Sequence, residues 1–141
     1  VLYGDKRQDT REVFFNAWRK FREHLPLEGI ETVIVDVLTR HPEYHGVVEN
    51  PDRFLDRDYS PELGETNPFL HLGMHIAIEE QLSIDQPPGV RGHFERLRER
   101  LGDSHEAQHI MMDCLGEMLW QSQRQGTPPD AAVYFECLSR R

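Results

Sequence analysis

Apolar residues in this chain recur three and four positions apart and almost never alternate. That spacing lines one face of an α-helix, whereas a half-buried strand alternates. Val13, Phe14, Ala17, Trp18 and Phe21 set the rhythm over residues 10–24, and Pro26 interrupts it. Ile30, Val33, Ile34, Val37 and Leu38 repeat it over 27–40; their β-branched content admits a strand, but the period fits a helix better. A short helix is expected after Pro42, because proline suits a first helical turn. Residues 50–66, with Pro51, Pro61, Gly64 and several aspartates, read as a long irregular connection into which Phe54, Leu55 and Tyr59 pack.

Asn67-Pro68 joins an N-cap residue to a proline at the first helical position. In the helix that follows, to about residue 82, Leu70, Leu72, Met74, Ile76, Ala77, Ile78 and Leu82 point almost all round the axis. Such a helix is expected to be buried and central. Residues 90–101, rich in Arg and Glu, read as a solvated outer helix that Gly102 stops. Asp103 or Ser104 caps the next helix, which runs to about Gln125, and a last short helix follows Pro128-Pro129. The expectation is one all-α domain over 1–141, a compact bundle of five or six helices.

The chain has 141 residues and a net charge of -9. A phosphate-binding surface needs a basic excess, so nucleic acid and anionic membrane are not expected partners. No apolar run approaches the roughly 18 residues of a spanning helix. The first residues show no secretory h-region. Two cysteines, Cys114 and Cys137, are too few for a disulfide scaffold. Cys114 lies on an apolar stripe and reads as core. These features together predict a reduced, cytoplasmic protein.

Eight histidines are the unusual count, and six of them form three pairs four residues apart: His41/His45, His71/His75 and His105/His109. Chance placement gives about 0.4 such pairs by simple pattern counting. Two imidazoles one helical turn apart can grip one metal ion. His71 and His75 lie on the helix expected to be buried, where an imidazole needs a hydrogen-bond partner or a metal. Glu79, one turn on, can serve as third ligand or orienting carboxylate. His41 precedes Pro42, which fits a role in ending the preceding helix. His24 and His93 read as surface residues.

His105-Glu106-Ala107-Gln108-His109 matches the H-E-x-x-H pattern of zinc metalloproteases, in which the glutamate is the general base. Two features oppose a peptidase. Asp103 and Glu106 form a variant capping box, which puts His105 in a first turn rather than mid-helix. A substrate-binding edge strand is also missing from the pattern. Glu106 and His109 have the Glu-x-x-His spacing of di-iron bundles, but Leu72 stands where a second copy needs its glutamate.

Several segments resemble one family. They are Tyr3-Gly4 with Phe14-Phe15-Asn16-Ala17-Trp18-Arg19-Lys20, His41-Pro42-Glu43-Tyr44-His45, Glu65-Thr66-Asn67-Pro68-Phe69-Leu70-His71-Leu72-Gly73-Met74-His75, and His105-Glu106-Ala107-Gln108-His109. They are similar to an uncharacterised proteobacterial family, domain of unknown function 1841. The resemblance spans nearly the whole chain and implies a small cytoplasmic bacterial protein. It carries no activity.

The site expectation therefore rests on spacing and burial. His71, His75, His105, His109 and Glu79 are the expected ligands of a divalent transition metal (zinc, iron or manganese) held between two helices. Glu106 is the expected catalytic group. Hydrolytic or redox chemistry would follow from the metal's bound water or its valence. The alternative is a non-enzymatic interaction module in which the histidines are structural and the acidic surface or the 50–66 segment meets a basic protein. The expected partner is accordingly a small molecule or a protein.

Overall fold

The computed structural model describes residues 2–141, and the backbone groups into two compact units, Val1–Ile76 and Ala77–Arg141. Every regular element among the described residues is helical: eight α-helices and two 3-10 turns. The all-α class stands, while the expected count of five or six was low. The difference lies mainly between residues 42 and 54, where two four-residue helices form.

The first unit begins with α1 (Leu2–Arg22) and α2 (Ile30–Thr39), which pack against each other. A 3-10 turn (Pro42–Tyr44) follows, then α3 (His45–Val48), α4 (Pro51–Phe54), a second 3-10 turn (Pro61–Leu63) and the start of α5 (Pro68–Ile84). Pro42 and Pro51 each open their element, as their fixed φ favours. The 50–66 stretch is therefore more regular than expected. The core is made by Phe14, Phe15, Ala17 and Trp18 of α1, Ile34, Val35, Val37 and Leu38 of α2, Val48, Phe54, and Phe69, Leu72 and Ile76 of α5. Phe14, Ala17, Trp18, Ile34, Val37, Leu38, Leu72 and Ile76 are positions of the helical rhythm, whereas its Val13, Phe21 and Ile30 are exposed.

One buried charge organises this unit. Arg11 Nη1 donates to the carbonyls of Phe54, Leu55 and Arg57 at 3.1, 3.0 and 2.7 Å. These lie at the end of α4 and just beyond it, where backbone carbonyls lack helical partners and a cation suits the dipole. The guanidinium also lies 4.6 Å from the centre of the Phe69 ring. At the start of α5 the Asn67 side chain accepts from the N–H groups of Phe69 and Leu70, at 3.0 and 3.2 Å, as its N-cap position predicts. Burial of α5 is less complete than its composition suggests. Leu72, His75, Ile76 and Ile78 are buried, but Leu70 is 63% exposed.

The second unit contains the rest of α5, α6 (Val90–Leu101), α7 (Ser104–Gln125) and α8 (Ala131–Arg140); α7 packs against both α6 and α8. Val90, Leu97, Ala107, Met111, Cys114, Leu115, Tyr134, Cys137 and Leu138 are buried. Gly102 (φ 70°) and Gly126 (φ 65°) end α6 and α7 in the left-handed conformation glycine tolerates. Asp103 caps α7 through the His105 N–H at 2.9 Å, and Asp130 caps α8 through the Ala132 N–H at 2.9 Å. Arg91 does not join Glu95 or Glu99. It donates to the carbonyls of Leu82 and Ser83, both at 2.7 Å, and so caps the end of α5. Glu95 pairs with Arg98.

The expectation of reduced cysteines is overturned within this unit. Cys114 of α7 and Cys137 of α8 form a disulfide, with Cα atoms 5.5 Å apart. Each cysteine occupies a buried stripe, as expected for Cys114. The packing of α8 on α7 sets the two stripes face to face, which reading each cysteine separately misses.

No helix among the described residues is long and apolar enough to cross a membrane.

Candidate metal centre

In the first unit three imidazoles gather. His41 follows the end of α2 and is buried. Its Nδ1 lies 2.8 Å from the Val37 carbonyl oxygen. A carbonyl can only accept, so Nδ1 carries the proton and donates it, and the lone pair resides on Nε2. That carbonyl belongs to the last turn of α2 and needs a donor. His75 is fully buried, and His71 sits one turn earlier on α5, half-buried. The ring centres are 4.7 Å apart for His41 and His75, 5.1 Å for His41 and His71, and 4.9 Å for His71 and His75. Imidazoles on one tetrahedral ion, with metal–nitrogen bonds of about 2.0 Å, have ring centres roughly 5 Å apart. His41 and His75 also bring ring nitrogens within 4.8 Å of each other.

Tyr44 walls this cluster. Its ring stacks on His41 at 5.6 Å and meets His71 at 5.8 Å. Burial, with a smaller push from Glu43, raises its hydroxyl above the ordinary tyrosine range, so it stays a neutral phenol. His45 does not take part. Its Nε2 donates to the Leu38 carbonyl at 2.7 Å, and its ring lies 4.3 Å from the Trp18 ring. The His41/His45 pair is thus divided by function, because Pro42 starts a 3-10 turn that keeps the two rings off a common face.

In the second unit His105 and His109 occupy the first two turns of α7, with ring centres 4.3 Å apart and ring nitrogens within 4.8 Å. The Asp103 cap fixes the backbone of His105. Glu106 Oε1 stands 3.6 Å from His109 Nδ1, with its side chain 61% exposed. At that distance the carboxylate is an electrostatic neighbour of the ring rather than a hydrogen-bond acceptor from it. Glu79 is engaged differently: its Oε1 accepts from Nε2 of the buried Gln108 at 2.8 Å.

Each expected site residue therefore has a definite setting. His71 and His75 are neighbours, as are His105 and His109. Glu106 lies against His109, and Glu79 against Gln108. The addition is His41, whose place beside His71 and His75 could not be read from its own four-residue pair. Its signal was the isolated position before Pro42, at a helix end. His93, expected at the surface, is half-buried and stacks on Phe135 at 5.4 Å. Burial and Arg96 hold its imidazolium form less stable than usual.

A groove of about 640 Å³ in the first unit lies elsewhere and is lined by none of the histidines. Phe15, Trp18, Val48 and Leu55 form its apolar wall, and Glu49 is held there by Trp18 Nε1 at 3.0 Å and Arg22 at 3.3 Å.

Fold and site together define an all-helical protein with a clustered set of histidines. The chain belongs to the family described as Domain of unknown function (DUF1841), which its residues 6–140 match. No curated protein and no solved structure matches it.

Proposed function

We propose that this protein binds a divalent transition-metal ion through the histidine cluster of the first unit, His41, His71 and His75. His105 and His109 of the second unit are a further pair of imidazole donors. The observation that carries the reading is the His41 ring. Its Nδ1 proton goes to the Val37 carbonyl, so its Nε2 bears the lone pair a metal uses, within a cluster of three rings at metal-site spacing. Three imidazoles match the three protein ligands of a catalytic zinc site, which keeps its fourth position for water or substrate. Imidazole donors suit zinc or iron ahead of manganese, which favours carboxylate and water.

In this reading Glu106 is an electrostatic neighbour of His109 rather than a general base. Glu79 serves the packing of Gln108. An ion retaining an exchangeable position would support hydrolytic or redox chemistry.

The test is elemental analysis of untagged protein beside His75→Ala and His105→Ala chains. The proposal predicts near-stoichiometric metal in the parent and its loss from the His75→Ala chain. Parent protein that stays metal-free after loading and dialysis would end the proposal. So would retention of the parent level by a folded His75→Ala chain; the His105→Ala chain reads the second pair by itself. Circular dichroism identifies a variant that has merely unfolded, and the milder His75→Gln and His105→Gln chains then take its place.

A further inference from the structure

We infer that the groove on the first unit is a separate binding site for a small amine, a protonated nitrogen carried on a compact apolar body. The inference stands apart from the metal reading, since no histidine lines the groove. α1 forms one side and residues 48–55 the other. The groove's volume of about 640 Å³ falls in the roughly 300–1,000 Å³ range of small-molecule sites. Phe15, Trp18 and Val48 belong to the core and turn their outer edges to the groove, so packing fixes its apolar wall. An apolar ligand body gains by leaving water against that wall.

The charges choose the head group. Three glutamates and two arginines line the groove. Arg19 is paired with Glu23 at 3.0 Å, and Arg22 with Glu49 at 3.3 Å. Glu12 is exposed on α1 and has no ion-pair partner among the described residues, which leaves the lining with a negative charge in excess. Glu49 is already oriented at the wall: its Oε2 accepts from Trp18 Nε1, and its Oε1 meets Arg22. An ionised carboxylate offers about four acceptor positions, so each oxygen keeps capacity for an ammonium N–H. An incoming anion, by contrast, finds both guanidinium groups committed to carboxylates. A protonated amine therefore suits the groove better than an acid of the same shape.

The experiment compares 1-adamantanamine with 1-adamantanecarboxylate, which share an apolar body and carry opposite charges at neutral pH. It uses the full chain carrying Trp120→Phe. That position is exposed in the second unit, and the change leaves Trp18 as the sole tryptophan. Calorimetry reports affinity and stoichiometry, and Trp18 emission reports where the ligand sits. The expected result is saturable binding of one amine per chain, accompanied by a change in Trp18 emission. The carboxylate should bind about 5-fold more weakly or worse, because attraction at the exposed charge becomes repulsion. Glu12→Gln, at an exposed position, should weaken amine binding about 2- to 5-fold. An amine that does not saturate the chain, or that binds without altering Trp18 emission, would overturn the inference. So would a carboxylate that binds as tightly as the amine, or a Glu12→Gln chain with the parent's amine affinity.

Discussion

In the first unit the histidines stand behind a core of aromatic and branched side chains; in the second they ride the opening turns of a long helix. His41 and His75 are buried, and the backbone of α2 fixes the His41 proton. His105 and His109 are half-buried, and an aspartate cap and an exposed carboxylate steady them. The first pair is preorganised by packing and the second by local polar contacts. Rigid neighbours hold a ligand ring where a metal needs it, while a helix terminus leaves room for adjustment. The supporting structures differ in the same sense. The first unit relies on a continuous apolar cluster, and the second adds a disulfide, two aspartate caps and two glycine stops.

If that contrast is right, the largest single loss should come from the first unit's core. Leu38 is fully buried in α2, and Leu38→Ala should cost about 2–5 kcal/mol in urea unfolding. A loss below 1 kcal/mol would mean that packing does not dominate there. In the second unit the corresponding support is the Cys114–Cys137 link, which closes a segment of sequence separation 23. The Cys114→Ala/Cys137→Ala chain should lose about 3 kcal/mol by the chain-entropy argument. The same midpoint from parent and variant, both under oxidising conditions, would remove the disulfide from the account.

Smaller effects sharpen the comparison. Asp103→Ala deletes the α7 cap and should cost about 1 kcal/mol. It should also weaken metal binding by the His105/His109 pair, because the cap sits directly below His105; a metal affinity equal to the parent's would separate capping from that pair. The smallest effect concerns the start of α6. The Asp85 carboxylate accepts the Arg91 N–H at 3.0 Å and the Gly89 N–H at 3.3 Å, which holds it below the ordinary carboxylate range. A depressed acid stabilises the fold above its unfolded pKa, and this contribution disappears as pH falls through the folded value. Asp85→Asn should therefore lower stability slightly at neutral pH and match the parent in acid. A difference that grows in acid would reverse the sign and refute the assignment.

How far the sequence speaks depends on how local each feature is. The bounds of α6 and α7 follow from Gly102, Asp103 and Gly126, whose effects reach only a residue or two. The apolar rhythm likewise names most of the first unit's core. What fails is anything set by two distant segments meeting. Cys114 and Cys137 each look like ordinary core residues until α8 packs on α7. Arg11 carries no local signal in the sequence, yet it caps carbonyls more than forty residues away. The histidines show both cases. Four-residue spacing finds His71/His75 and His105/His109 as neighbours because one helical turn joins each pair. It misleads at His41, whose companion His45 turns to Trp18 while His41 meets rings from α5. The short helix opened by Pro51 escapes for a related reason: four residues are too few to display a period.

The central claim, a metal ion held by the first unit's histidine cluster, is tested most directly by native mass spectrometry of the untagged chain after zinc loading and dialysis. The account predicts zinc bound by the parent and lost from the His41→Ala chain. A parent that carries no zinc, or a folded His41→Ala chain that carries as much as the parent, would contradict it.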